Sequence, residues 1–100
     1  MIIADITVVP VGTGSASLSA YVAEIQSRLR QAGFEPVLHA MGTIVEDARM
    51  ERILEAVRVA HEAAFEAGVM RVVTAVKIDE RRDKDGSVQQ KLRSVQEKLR

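Results

Sequence analysis

"FEPVLHAMGTIVED", residues 34–47, decides the fold. Phe34 to Met41 read as one strand, and Pro36, which has no N–H to give to a ladder, places it at a sheet edge. Gly42 marks a tight connection to a short strand over roughly Thr43–Glu46. A hairpin in the middle of the chain leaves one segment before it and one after it to cross the sheet. Upstream, residues 2–11 are rich in β-branched residues, with Ile2, Ala4, Ile6 and Val8 on one face and Ile3, Asp5, Thr7 and Val9 on the other. "VGTGSAS" (11–17) is a loop, and Ser15 or Ser17 is expected to cap a helix whose apolar stripe is Leu18, Val22, Ile25, Leu29 and Ala32. Gly33 stands where that helix should end.

Downstream, a second helix is expected from Ala48 to Ala67, with Asp47 as its N-cap and Met50, Ile53, Leu54, Val57, Ala60 and Ala64 on its apolar side. It should stop at Gly68. "VMRVVTAVKID" (69–79) reads as a fourth strand and "ERRDKDG" (80–86) as a solvated charged turn. Ser87 to Gln90 match a capping box that opens a last helix with Val88, Leu92, Val95 and Leu99 as its stripe. The order is β-α-β-β-α-β-α. Two right-handed βαβ crossovers around a hairpin interleave into a four-stranded antiparallel sheet with helices on one face. The expectation is therefore an α+β, ferredoxin-like βαββαβ sandwich with an additional C-terminal helix, a single domain over residues 1–100.

Composition narrows the function. Lys+Arg and Asp+Glu are both 14, so no global field attracts nucleic acid or an anionic membrane. The absence of cysteine removes disulfides and thiolate chemistry and fits a cytoplasmic protein. "MIIADITVVPVG" lacks a basic leader and carries Asp5 and Pro10, so it reads as a strand rather than a signal peptide, and no run is long enough to span a membrane. If Ile2, Ala4 and Ile6 meet the helices, then Ile3, Asp5, Thr7, Val9 and Val11, with Val69, Arg71, Val73, Ala75 and Lys77 from strand four, look out of the uncovered face. That face is too apolar for a wet monomer, so a homo-oligomer built on two-fold symmetry is expected, with the last helix covering part of the face in its own subunit or a neighbour's.

The motifs exclude more than they assert. "VGTGSAS" lacks the Lys of a Walker loop and the third glycine of a dinucleotide fingerprint, although free backbone N–H groups at a helix start can hold an anion. His39 and His61 are the only imidazoles and have no metal-ligand spacing, so no metal site is expected. His61 belongs to a helix edge, whereas His39 shares the outward parity of Val37 and Met41. A triad of Ser15 or Ser17 with His39 and Glu46 lacks a nucleophile elbow, so no catalytic residue is assigned. Glu46 ends a strand just before a helix. Thr43, three positions earlier, has the opposite parity unless the chain is re-aimed there. Tyr21, Phe34 and Phe65 are the only aromatic rings, too few for nucleic-acid stacking across a sheet.

"ITVVPVGTGSASLSAYVAEI", "LHAMGTIVE", "RVVTAVKIDERRDK" and "KLRSVQEKL", in that order, resemble the small thiamine-binding protein family, also described as MTH1187/YkoF-like. The resemblance covers essentially the whole chain and departs at Asp47, where the family commonly has glycine. It implies a ferredoxin-like subunit, sheets paired into dimers or dimers of dimers (a tetramer), and non-catalytic binding of thiamine (vitamin B1) or its hydroxymethylpyrimidine part, with no other cofactor. By similarity the ligand positions are Ser15, Ser17, Tyr21, Met41, Gly42, Thr43 and Glu46, and the outward parity of His39 adds it as a residue facing a partner or ligand. Hydroxyls, a carboxylate and a thioether complement an aminopyrimidine and a cationic thiazolium. The role so implied is transport, salvage or sensing. The alternative is a structural or regulatory homo-oligomer with no small-molecule ligand.

Overall fold

The structure, a computed structural model, describes residues 1–99. Among these residues seven elements follow one another: β1 (Ile2–Val11), α1 (Ser19–Gln31), β2 (Val37–His39), β3 (Gly42–Asp47), α2 (Met50–Glu66), β4 (Arg71–Glu80) and α3 (Val88–Gln96). The strands form one sheet in the order β2-β3-β1-β4, and every neighbouring pair is antiparallel. This is the ferredoxin-like α+β arrangement with a third helix. Ile2, Ala4 and Ile6 of β1 and Val45 of β3 face Ile25 and Leu29 of α1 and Ile53, Ala56, Ala60 and Ala63 of α2, and together they make the core. The run of alanines on α2 keeps its buried side thin, so the helix packs close to its neighbours. Each large residue buried there, such as Ile6 or Ile53, contributes about 1.5–3 kcal/mol.

Both crossover helices end by the same device. Gly33 follows α1 with φ +91° and Gly68 follows α2 with φ +94°, a conformation that costs glycine nothing. Phe34 then donates its N–H to the Leu29 carbonyl, and Val69 donates to that of Ala64, at 3.0 and 3.4 Å. These are Schellman turns, which satisfy the last carbonyls and aim the next side chain at the core. Phe34 and Val69 are accordingly buried.

These turns explain two departures from expectation. Strand two is only Val37–His39, because Phe34 is committed to the helix end and Pro36 cannot enter the ladder. Val69, expected on the outer face, is drawn inward before β4 begins at Arg71. Neither Ser15 nor Ser17 caps α1. Its N-cap is Leu18, without a side-chain bond, and the Ser15 hydroxyl accepts from the Ser17 N–H within the loop. Asp47 ends β3 instead of capping α2, and its carboxylate accepts the Arg49 N–H at 2.8 Å just ahead of that helix. Met50 and Leu54 turn outward, since Ala56 and Ala63 supply the buried arc. At α3 the Ser87 hydroxyl accepts the Gln90 N–H as a capping box requires, but the Gln90 side chain donates forward to Ser94.

The uncovered face of the sheet and α3 set the outer surface. Glu46, Ile3 and Asp79 lie in one row across β3, β1 and β4. The Glu46 carboxylate accepts the Val88 N–H at 2.9 Å, and Asp79 pairs with Lys91 at 2.5 Å, so the start of α3 is tied to that row. Beyond these ties its apolar stripe stays exposed, with Leu92 and Val95 each 58% and Leu99 70% accessible. No described helix is long and apolar enough to cross a membrane.

Candidate functional site

The site begins as a mismatch of strand lengths. β1 pairs with β4 over all ten of its residues, but with β3 only from Ile2 to Ile6. From Thr7 onward its β3-side edge has no strand beside it among the described residues. The hairpin turn at Ala40–Met41 on one side and α1 on the other enclose a cleft of about 300 Å³ there. Its walls are Ile6 and Val8 of β1, Val22 and Ile25 of α1, and Leu38 of β2. Its polar groups come from Thr7, His39 and Thr43 and from the backbone around Gly42. The volume is at the lower end of ligand pockets, ~300–1,000 Å³, and suits a single heterocycle with a short substituent.

Polar contacts hold the mouth of this cleft. His39 Nε2 lies 2.8 Å from Asp5 Oδ1, and His39 Nδ1 accepts the Met41 N–H at 3.2 Å. Because Nδ1 accepts, Nε2 carries the proton given to Asp5. The Thr7 hydroxyl donates to the Met41 carbonyl at 3.1 Å, so the turn is fastened to β1 from two sides. Gly42 is what allows the approach. A β-carbon there would meet the Ile6 carbonyl oxygen and Thr7 Oγ1 at 2.9 Å and Asp5 Oδ1 at 3.1 Å. At the inner end, Thr43 turns to the helix-covered face, where its hydroxyl accepts from Gln26 Nε2 at 2.7 Å.

The residues expected from sequence therefore divide. His39, Met41, Gly42 and Thr43 come together in this cleft. Glu46 looks out of the opposite face from Thr43 and lines a second cleft, of about 440 Å³, with Glu35, Asp47, Arg52 and Val88. Tyr21 lines a small recess beside Gly12, Thr13 and Met70. Ser15 and Ser17 are exposed in the loop before α1 and line none of these three clefts. Sequence reasoning did not pick out Asp5, Thr7 or Gln26 as site residues. Their signals were present: Asp5 and Thr7 break an apolar strand on the same side as His39, and Gln26 is a polar residue one turn after Val22 on the buried arc of α1. Elsewhere His61 shares a 2.7 Å hydrogen bond with Thr74 and packs edge-on to Phe65, which ties α2 to β4. Among the described residues no group of three or more His, Cys, Asp or Glu is placed to hold a metal ion.

Comparison with known proteins places the chain. The sequence model of the family described as thiamine-binding protein matches residues 4–96. A UPF0045 protein of Methanothermobacter thermautotrophicus is 44% identical over 99 residues, covering 99% of this chain and 100% of its own. YqgV of Bacillus subtilis, another UPF0045 protein, is 37% identical over 103 residues, covering 99% and 98% of the two chains. The crystal structure of the hypothetical protein MJ1052 from Methanocaldococcus jannaschii matches with a TM-score of 0.85 at 34% identity, over 96% of each chain. A Thermotoga maritima protein described as a candidate for thiamine biosynthesis or salvage has a TM-score of 0.75 at 19% identity, over 94% of this chain and 97% of its own, a likeness of fold. The chain belongs to the thiamine-binding protein family and has a thiamine-related role.

Proposed function

We propose that this chain binds thiamine or its hydroxymethylpyrimidine moiety, without transforming it, in the cleft between the hairpin turn and α1. The observation that carries the reading is the cleft itself: apolar walls for a flat ring, with His39, Thr7, Thr43 and free backbone groups at its ends. An aminopyrimidine offers an exocyclic donor beside ring-nitrogen acceptors, so both hydroxyls and backbone groups can complement it. The thioether of Met41, 79% exposed on the turn, is a soft surface for the ring face. Asp5, reached through His39, is the carboxylate nearest this group in the hydrogen-bond network and suits a cationic thiazolium.

The working form in this proposal is a cytoplasmic homo-oligomer, a dimer or a dimer of dimers, serving transport, salvage or sensing. Val9, Val11 and Val73 remain exposed on the uncovered face, and α3, tied to the same face, presents Leu92 and Val95. Paired apolar surfaces of this kind favour self-association. The same residues favour the second reading, a structural or regulatory homo-oligomer that takes no small molecule. A thermal-shift series with thiamine, its phosphates and free hydroxymethylpyrimidine separates the two. Ligand at ~100 times its dissociation constant adds ~2.7 kcal/mol of stability, a rise of several degrees for a domain of this size. No shift with any of these compounds at millimolar concentration would leave the second reading in its place.

A further inference from the structure

Gln26 is a buried amide with one of its two polar atoms unpartnered among the described residues. It is 8% accessible, its Nε2 donates to Thr43 Oγ1 at 2.7 Å, and its Oε1 is buried without a partner among the described residues. A buried unpaired acceptor costs about 1–3 kcal/mol, and the arc of α1 that carries it is otherwise apolar, with Ile25 and Leu29 as neighbours. For folding alone, leucine or methionine would serve better at this position. Among the described residues the amide's hydrogen bond goes to a residue of the cleft. Thr43 is 4% accessible, and its hydroxyl receives the Gln26 N–H. A hydroxyl that accepts on one side presents its own proton elsewhere. Thr43 lines the cleft, so that is the direction in which its proton can find an acceptor.

We propose that Gln26 is a positioning residue, which by occupying a lone pair of Thr43 holds that hydroxyl as a hydrogen-bond donor to the cleft and so selects heteroaromatic ligands with an unprotonated ring nitrogen. This deepens, and rests on, the reading of the cleft as a pyrimidine site. It explains why an apolar helix face keeps a glutamine at a cost in stability. It also assigns a direction to the contact: the protein donates and the ligand ring accepts. Thr43 then disfavours a ring that presents N–H or C–H at the same place.

The test is calorimetric titration of hydroxymethylpyrimidine into the wild type, Gln26→Met, Thr43→Val and Thr43→Ser, with a melting curve for each. Gln26→Met should melt at the wild-type temperature or above it and yet bind about tenfold more weakly. A purely structural glutamine would give the reverse, a lower melting temperature with unchanged affinity, and that would overturn the inference. Thr43→Val should lose about tenfold and Thr43→Ser should recover most of it, because serine keeps the donor. Analogues with one ring nitrogen replaced by C–H supply the second measurement. One of them should lose affinity for the wild type and lose nothing for Gln26→Met, whereas equal losses for both proteins would contradict the assignment. If the wild type binds no hydroxymethylpyrimidine, the site reading and this inference fall together. If it binds and Gln26→Met binds equally well, the site stands and the role of Gln26 is refuted.

Discussion

The two faces of β1 are interleaved on one strand and are put to opposite uses. Ile2, Ala4 and Ile6 are almost fully buried under α1 and α2, whereas Ile3, Asp5 and Thr7 between them are only partly covered. On β1 the covered face is aliphatic and packs against the alanines of α2. The other carries a carboxylate, a hydroxyl and, across the hairpin, an imidazole bonded to that carboxylate. Alternation along a strand gives a small domain two independent surfaces: one supplies stability, and the other is free for recognition and assembly. The cleft lies where these surfaces meet, because β3 begins only at Gly42 and leaves the edge of β1 beyond Ile6 open to both sides.

Substitutions on each face sharpen this contrast. Ile53→Ala, on the covered side and fully buried, should cost about 2–5 kcal/mol in urea denaturation, the range for deleting a large aliphatic side chain from a packed core. Gly42→Ala comes next. A β-carbon 2.9 Å from the Ile6 carbonyl forces the hairpin away from β1, for about 1–3 kcal/mol, and an NMR spectrum of the imidazole should report loss of the His39–Asp5 bond. Val73→Lys, on the uncovered face and 53% accessible, should change subunit stability by less than about 0.5 kcal/mol. Under the assembly proposal it should nevertheless reduce the mass seen by light scattering from a multiple of 11.0 kDa to 11.0 kDa. A wild type already at 11.0 kDa would contradict that proposal.

The smallest effect lies in the charged turn after β4. The Arg81 guanidinium holds the Asp83 carboxyl down from its ordinary 3.8 to about 2. A carboxyl depressed in the folded state stabilises it above the unfolded value and ceases to do so as pH falls through the folded one. The contribution is therefore complete above about pH 4 and lost towards about pH 2. Both groups are at the surface, so the change in stability should be slight. An NMR titration of Asp83 should show the low midpoint in the wild type and a return towards 3.8 in Arg81→Ala.

Much of this was legible in the sequence, and the reason differs by region. Parity fixed the faces of β1 and of β4 from Arg71 on, because a side-chain period of two leaves no freedom once one face is buried. Gly33 and Gly68 marked both helix ends, since each turn needs a positive φ. The capping serine of α3 was legible for a similarly local reason. Helix starts were less so. Ser15 and Ser17 have the right chemistry for a cap, but the Ser15 hydroxyl accepts the Ser17 N–H within the loop, and composition does not reveal which bond a hydroxyl makes. The candidate site was legible as a segment and not as a set of contacts. "LHAMGTIVE" does supply the cleft residues His39, Met41, Gly42 and Thr43, yet Glu46 in the same segment faces away. Asp5 meets His39, and Gln26 meets Thr43, only because of the β1–β3 register and the packing of α1. Such long-range partners carry no local signal.

Two clefts flank the hairpin, and the ligand is proposed to occupy the one beside α1. The most direct test follows the backbone amides by NMR as thiamine or hydroxymethylpyrimidine is added to the wild-type protein. Saturable shifts are expected at Thr7, at His39 to Thr43, and at Val22 and Ile25 of α1, with Glu35, Glu46, Asp47 and Val88 unmoved. Shifts confined to the second group would put the ligand in the other cleft and contradict the proposed site.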